Sequence, residues 1–142
     1  MLPIDPTRAK LVAFIEHLDV GIGRVVDCVK KTGQAENTLI VFTSDNGGHK
    51  GSHAHCGPHR GFKQEMYEGG IAVPFCAVWP GHIAPGSRSD LVALTSDLFP
   101  TFCEAAGATI KHEIDGMSIL PTLLGKRQSF DRTLFWVRRE GG

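Results

Sequence analysis

Apolar residues Leu11, Phe14, Leu18, Ile22, Val25 and Val29 recur every three or four positions, the spacing of one helix face. They predict an amphipathic helix over residues 7–31, with that face in a core and Gly33 closing it. The period then changes. Thr38 to Thr43 is a short β-branched run after the turn-like Ala35-Glu36-Asn37, and Ala72 to Trp79 is a second apolar run stopped by Pro80-Gly81. Both predict strands, with Pro74 restricting pairing at the start of the second. Their apolarity is continuous rather than alternating, which predicts cover on both faces, as in a mostly parallel sheet between helices. Ser96 is placed to cap a further helix through Ala106, with Asp97 in its first turn, Pro100 near its start and Gly107 at its end. Asp115-Gly116 reads as a turn, Ile119 to Leu124 as a short helix after Ser118, and Leu134-Phe135-Trp136-Val137 as a strand. The fold class these elements define is α/β, a three-layer sandwich with helices on both sides of the sheet.

Charge changes this picture only by exclusion. Fifteen basic residues balance fifteen acidic ones, so net charge makes no case for a nucleic acid or an anionic membrane as partner. No apolar run has the length of a membrane-crossing helix, and Met1-Leu2-Pro3-Ile4-Asp5-Pro6 has neither the basic start nor the apolar centre of an export signal. The four cysteines are widely spaced without a CxxC pair, which argues against a disulfide framework or a zinc ribbon. Cys28, Cys76 and Cys103 are expected to be buried free thiols, and Cys56 a loop residue.

The chemistry concentrates in residues 41–74. The first predicted strand delivers Ser44, Asp45 and Asn46 to its C-terminal end, where open α/β sheets place ligands. A carboxylate beside a carboxamide offers hard oxygens to calcium or magnesium, so Asp45 and Asn46 are the candidate metal ligands, and Gly47-Gly48 lets the chain turn away. Arg60 and Lys63 follow a histidine-rich loop and are placed to meet an anion.

Taken together, Ser44-Asp45-Asn46-Gly47-Gly48, the RGxK unit from Arg60 to Lys63, and the YEGGIAVP run from Tyr67 to Pro74 resemble the sulfatase family, of alkaline-phosphatase-like fold. The likeness extends over most of the chain, through VWPGHIAPGSRSD, TSDLFPTFCEAAG and DGMSILPTLLGK. It implies hydrolysis of a sulfate ester by a hydrated formylglycine, with Ca2+, or Mg2+, held in part by Asp45 and Asn46. It also implies that the Lys63 ammonium offsets charge on a substrate oxygen and that Arg60 assists. The implied substrate is a sulfated small molecule or carbohydrate, and relatives are often periplasmic or secreted. The family's upstream Cys-x-Pro-Ser-Arg segment and two early aspartates have no counterpart in these residues. Residues 1–142 are therefore expected to be part of a sulfatase catalytic domain, lacking the nucleophile segment and the C-terminal subdomain. Such a part is expected to bind metal weakly, to be inactive alone, and to have the remainder of the domain as a possible partner.

Bland readings stand beside these. Asp45-Asn46-Gly47 is also a good turn sequence, Arg60 can instead orient its loop through a carboxylate, and Tyr67 and Glu68 read as packing and local structure. Cys56-Gly57-Pro58-His59-Arg60 matches Cys-x-Pro-x-Arg literally, but it runs straight into Gly61-Phe62-Lys63 rather than into an apolar helix, which contradicts modification of Cys56. His49, His53, His55, Cys56 and His59 carry donors suited to zinc or copper, without a zinc-module spacing. A non-catalytic metal-binding remnant, or a phosphatase or phosphodiesterase of the same fold superfamily, are the alternative functions.

Overall fold

The structure, a computed structural model, describes residues 5–126 and 129–138; Met1 to Ile4, read above for an export signal, lie outside them. The chain divides into two compact units, residues 1–76 with 135–142, and residues 77–134.

The first unit opens with helix α1, Pro6–Lys31, matching the predicted span. Asp5 is its N-cap: the carboxylate accepts from the backbone N–H groups of Thr7 and Arg8 at 2.9 and 3.1 Å. Those bonds, that from Arg8 foremost, together with the nearby His53, hold the Asp5 carboxyl below the usual range. Lys30 and Lys31 complement the helix dipole in the last turn. Gly33 then takes a φ of 72° while Gln34 N donates to Val29 O at 3.1 Å, closing the helix where expected. The expected burial of one face is not found. No residue of α1 is buried, and Phe14 is 73% exposed. The reason is a lack of facing elements: the side-chain bonds that tie α1 down lie at its first turn, where Arg8 donates to His53 O at 3.2 Å and His53 Nδ1 lies 3.0 Å from Asp5.

Strand β1, Ile40–Thr43, pairs with β2, Phe75–Val78, in a two-stranded sheet; the division between units falls within β2. Between them lies α2, Glu68–Ile71, a single turn. Small sheet and helices make the described chain a partial α/β fold. Each strand is shorter than its apolar run, because two strands offer few ladder partners. The expected strand at 134–137 is absent for the same reason, and Phe135 and Val137 stand 81% and 86% exposed. The cysteines are free, as expected, but Cys28 and Cys76 are exposed and Cys103 half-buried, since their faces lack cover. Among the described residues no helix is long and apolar enough to cross a membrane.

In the second unit a 3-10 turn, Thr95–Asp97, runs into α3, Leu98–Ala105. Ser96 is not the cap. The Asp97 carboxylate instead reaches back to accept from Leu94 N at 2.8 Å. Asp97 is fully buried and accepts also from Met117 N and from both terminal nitrogens of Arg132, with Nη1 at 2.8 Å. Burial pushes this carboxyl up, but the Arg132 guanidinium and the two backbone N–H groups outweigh it and hold it below the usual range. Thr101, also buried, donates to Asp97 O at 2.6 Å and accepts from Ile119 N at 2.9 Å. This network seats α4, Leu120–Leu123, whose Leu120 N is met by Ser118 Oγ at 3.2 Å, and beside it Ile119 and Leu120 are the buried apolar side chains.

Candidate active site

Backbone contacts between the end of β1 and the Arg60–Ile71 segment build the site. Beyond Thr43, Ser44 N donates to Pro74 O at 3.4 Å and Ser44 Oγ to Asn46 O at 2.9 Å, which turns the chain out of the sheet. Gly47 N donates to Gly70 O at 3.0 Å, and Lys63 N donates to Gly48 O at 2.8 Å. Gly69 N in turn donates to Arg60 O at 2.7 Å. The three segments singled out from sequence are therefore laced together by main-chain hydrogen bonds.

Glycine makes the lacing possible at two positions. A Cβ on Gly47 would stand 1.8 Å from Gly69 O, and one on Gly69 would stand 2.0 Å from Gly61 O. Both partners are backbone atoms, which cannot swing aside as a flexible side chain can.

Asp45 and Asn46 are brought together. Asn46 Nδ2 donates to Asp45 Oδ1 at 2.6 Å, with Asp45 exposed and Asn46 half-buried. The donor chemistry fits a hard divalent cation, to which the carboxylate and the carboxamide oxygen would each contribute one ligand. Two protein oxygens are well short of the roughly six to eight that calcium takes. Among the described residues no group of three or more His, Cys, Asp or Glu is gathered to hold a metal. The histidine loop is engaged piecemeal instead: His49 Nδ1 with Ser52 Oγ at 3.0 Å, His53 with Asp5, and His55 Nδ1 with Gly57 N at 3.0 Å.

Lys63 is exposed, its backbone fixed by Gly48. Arg60, exposed, stacks its guanidinium 3.9 Å from the centre of the Tyr67 ring, a cation–π contact. Tyr67 thus packs, as expected, but on a functional candidate. Arg138 went unnoticed in the sequence: it donates to Gln64 O, next to Lys63, and Gln64 adopts a positive φ of 79°. Nothing local in the sequence marks that contact, which spans more than seventy positions.

The end of β1 thus carries hard oxygens at Asp45 and Asn46 on backbone bonded to the segment that carries the exposed Arg60 and Lys63. The Sulfatase family model matches residues 6–108, and the chain belongs to the sulfatase family. It is 36% identical over 135 residues to the "Uncharacterized sulfatase YdeN" of Escherichia coli (strain K12), covering 92% of this chain and 24% of that protein. It is 37% identical to the N-acetylgalactosamine-6-sulfatase of Mus musculus (92% and 26% covered) and 40% identical to Arylsulfatase A of Homo sapiens (84% and 24%). Among solved structures it resembles Ps i-CgsB in complex with k-i-k-neocarrahexaose, with a TM-score of 0.83, 34% identity, and 88% and 28% of the two chains covered. It also resembles BT4656 in complex with its substrate D-Glucosamine-2-N, 6-O-disulfate, with a TM-score of 0.69, 31% identity, and 82% and 23% covered. These neighbours carry the alkaline-phosphatase-like fold, of which this chain shows a part. The chain spans about a quarter of the length of the curated relatives it matches. Family membership implies the use of a metal and of formylglycine.

Proposed function

We propose that this chain forms part of a sulfatase catalytic domain that hydrolyses sulfuric esters, with sulfated carbohydrates as the substrate class. The observation carrying this reading is the glycine-laced junction that holds Asp45-Asn46 and Arg60–Lys63 on adjoining backbone. The relatives named above are sulfatases, and the neighbour bound to a disulfated glucosamine supports a carbohydrate sulfate. Asp45 and Asn46 would hold Ca2+ or Mg2+ by their side-chain oxygens. When bound, the cation supplies Lewis acidity toward a sulfate oxygen. The Lys63 ammonium lies free to offset charge on a second oxygen, and Arg60, braced on Tyr67, presents planar N–H donors to the same anion. The formylglycine nucleophile belongs to the family, and no residue here is assigned to it.

Calorimetric titration tests the assignment. Ca2+ is expected to bind the chain weakly and to be lost in Asp45→Ala. Inorganic sulfate binding is expected to strengthen with Ca2+ and to fall in Lys63→Ala, with no hydrolysis of 4-nitrophenyl sulfate by the chain alone. Sulfate binding indifferent to both substitutions, or turnover by a pure preparation, would overturn it.

A further inference from the structure

Positive φ angles in this chain fall almost wholly on glycine: seven glycines adopt one, and among the other described residues His53 and Gln64 do so. A residue with a Cβ avoids that region, and it persists there only where the surroundings over-determine it. Both exceptions are tied at the carbonyl by an arginine from a distant part of the same unit. Arg8 donates to His53 O at 3.2 Å across forty-five positions, and Arg138 donates to Gln64 O across seventy-four.

Gln64 stands in a tight turn beside a candidate site residue. Glu65 N donates to Phe62 O at 2.9 Å, which closes residues 62–65 with Lys63 in the second place and Gln64 in the third. With φ at 79° on Gln64 and no positive φ on Lys63, the turn follows the type II pattern, whose third place ordinarily takes glycine. Lys63 is therefore held from both sides: its own N–H donates to Gly48 O at 2.8 Å, and its neighbour's carbonyl accepts from the Arg138 guanidinium. A hydrogen bond from a charged donor is stronger than a neutral one, and this one offsets a conformation that glutamine otherwise leaves.

We propose that Arg138 is a positioning residue for Lys63: by clamping Gln64 in the left-handed region it fixes the turn that aims the lysine ammonium. The consequence for sulfate rests on the reading of Lys63 as a sulfate ligand; the clamp on the turn does not.

Amide NMR of the full 142-residue chain, free and titrated with inorganic sulfate, reads both parts. Arg138→Ala is expected to speed exchange at the Glu65 amide and to weaken sulfate binding, each by about three- to tenfold, the size of one net hydrogen bond. Gln64→Gly in the same chain should restore both, because glycine takes the positive φ without a clamp. In a Lys63→Ala background, Arg138→Ala should no longer change sulfate binding. A loss of sulfate binding that survives in Gln64→Gly or in Lys63→Ala would show Arg138 meeting the anion itself and would overturn the proposal. So would a Glu65 amide indifferent to Arg138→Ala. Sulfate binding unchanged by Lys63→Ala would overturn the sulfate role of Lys63 instead, and exchange at Glu65 would still decide for or against the clamp. Arg138 is exposed, so its truncation leaves no buried charge behind, and circular dichroism should match the parent in each variant.

Discussion

Replacing Arg132 by Met should open the second unit around α3. The substitution strips a bidentate partner from Asp97, a carboxylate with no exposed surface, while its bonds from Leu94 N and Met117 N remain. Removing one member of a buried ion pair costs about 3–5 kcal/mol, and the two surviving N–H donors place the cost near the lower end, about 3 kcal/mol. Hydrogen exchange reads this directly: amides of α3 and residues 117–119 should exchange about 150-fold faster at neutral pH if they open as one unit. The pH dependence supplies an independent sign. In the parent chain the Asp97 carboxyl lies below its unfolded value, so its contribution is present above the unfolded pKa and is lost as pH falls through the lowered folded one. In Arg132→Met burial dominates and raises the carboxyl, so the deficit is greatest near neutrality and shrinks on acidification as Asp97 takes a proton. The double variant Asp97→Asn with Arg132→Met should recover part of the loss, because no charge is then left buried. Exchange changed by less than about fivefold in Arg132→Met, or a double variant worse than the single, would refute the reasoning.

Gly69→Ala should cost about 3 kcal/mol by forcing a methyl against Gly61 O and Arg60 O, and should weaken sulfate binding as strongly as loss of Lys63; exchange at Gly47 and Gly70 checks the first and calorimetry the second. Asp5→Ala should fray the first turn of α1, seen as faster exchange at Thr7 and Arg8. In the parent chain the same turn should loosen as pH falls through the lowered Asp5 pKa, since its cap is present above the unfolded value and lost on protonation. Asp45→Asn should lower Ca2+ affinity at least about tenfold while leaving the exchange pattern of the sheet unchanged, because Asp45 is exposed and the new carboxamide keeps an Oδ1 that can accept from Asn46.

Local rules made much of this protein readable in one dimension. The span of α1, its closure at Gly33, the turn before β1, the end of α3 and the short α4 all follow from periodicity, capping and turn chemistry, which act over a few residues. The candidates Asp45, Asn46, Arg60 and Lys63 stand out in closely spaced motifs, and Gly47 and Gly69 stand out as places where the chain turns or backbone comes close, without showing which atoms they clear. Those atoms are set by the fold: a Cβ on Gly47 would strike Gly69 O, twenty-two positions away, and one on Gly69 would strike Gly61 O across the intervening loop. The same holds for Asp97, which the sequence offers as a helix-start acid and the fold turns into a buried anchor for Arg132, thirty-five positions away. Burial was the least legible property. An apolar stripe states that a helix face is suited to cover, but only the surrounding structure decides whether anything covers it; Phe14, Leu18, Phe135 and Val137 stay exposed because, among the described residues of their unit, no element faces them.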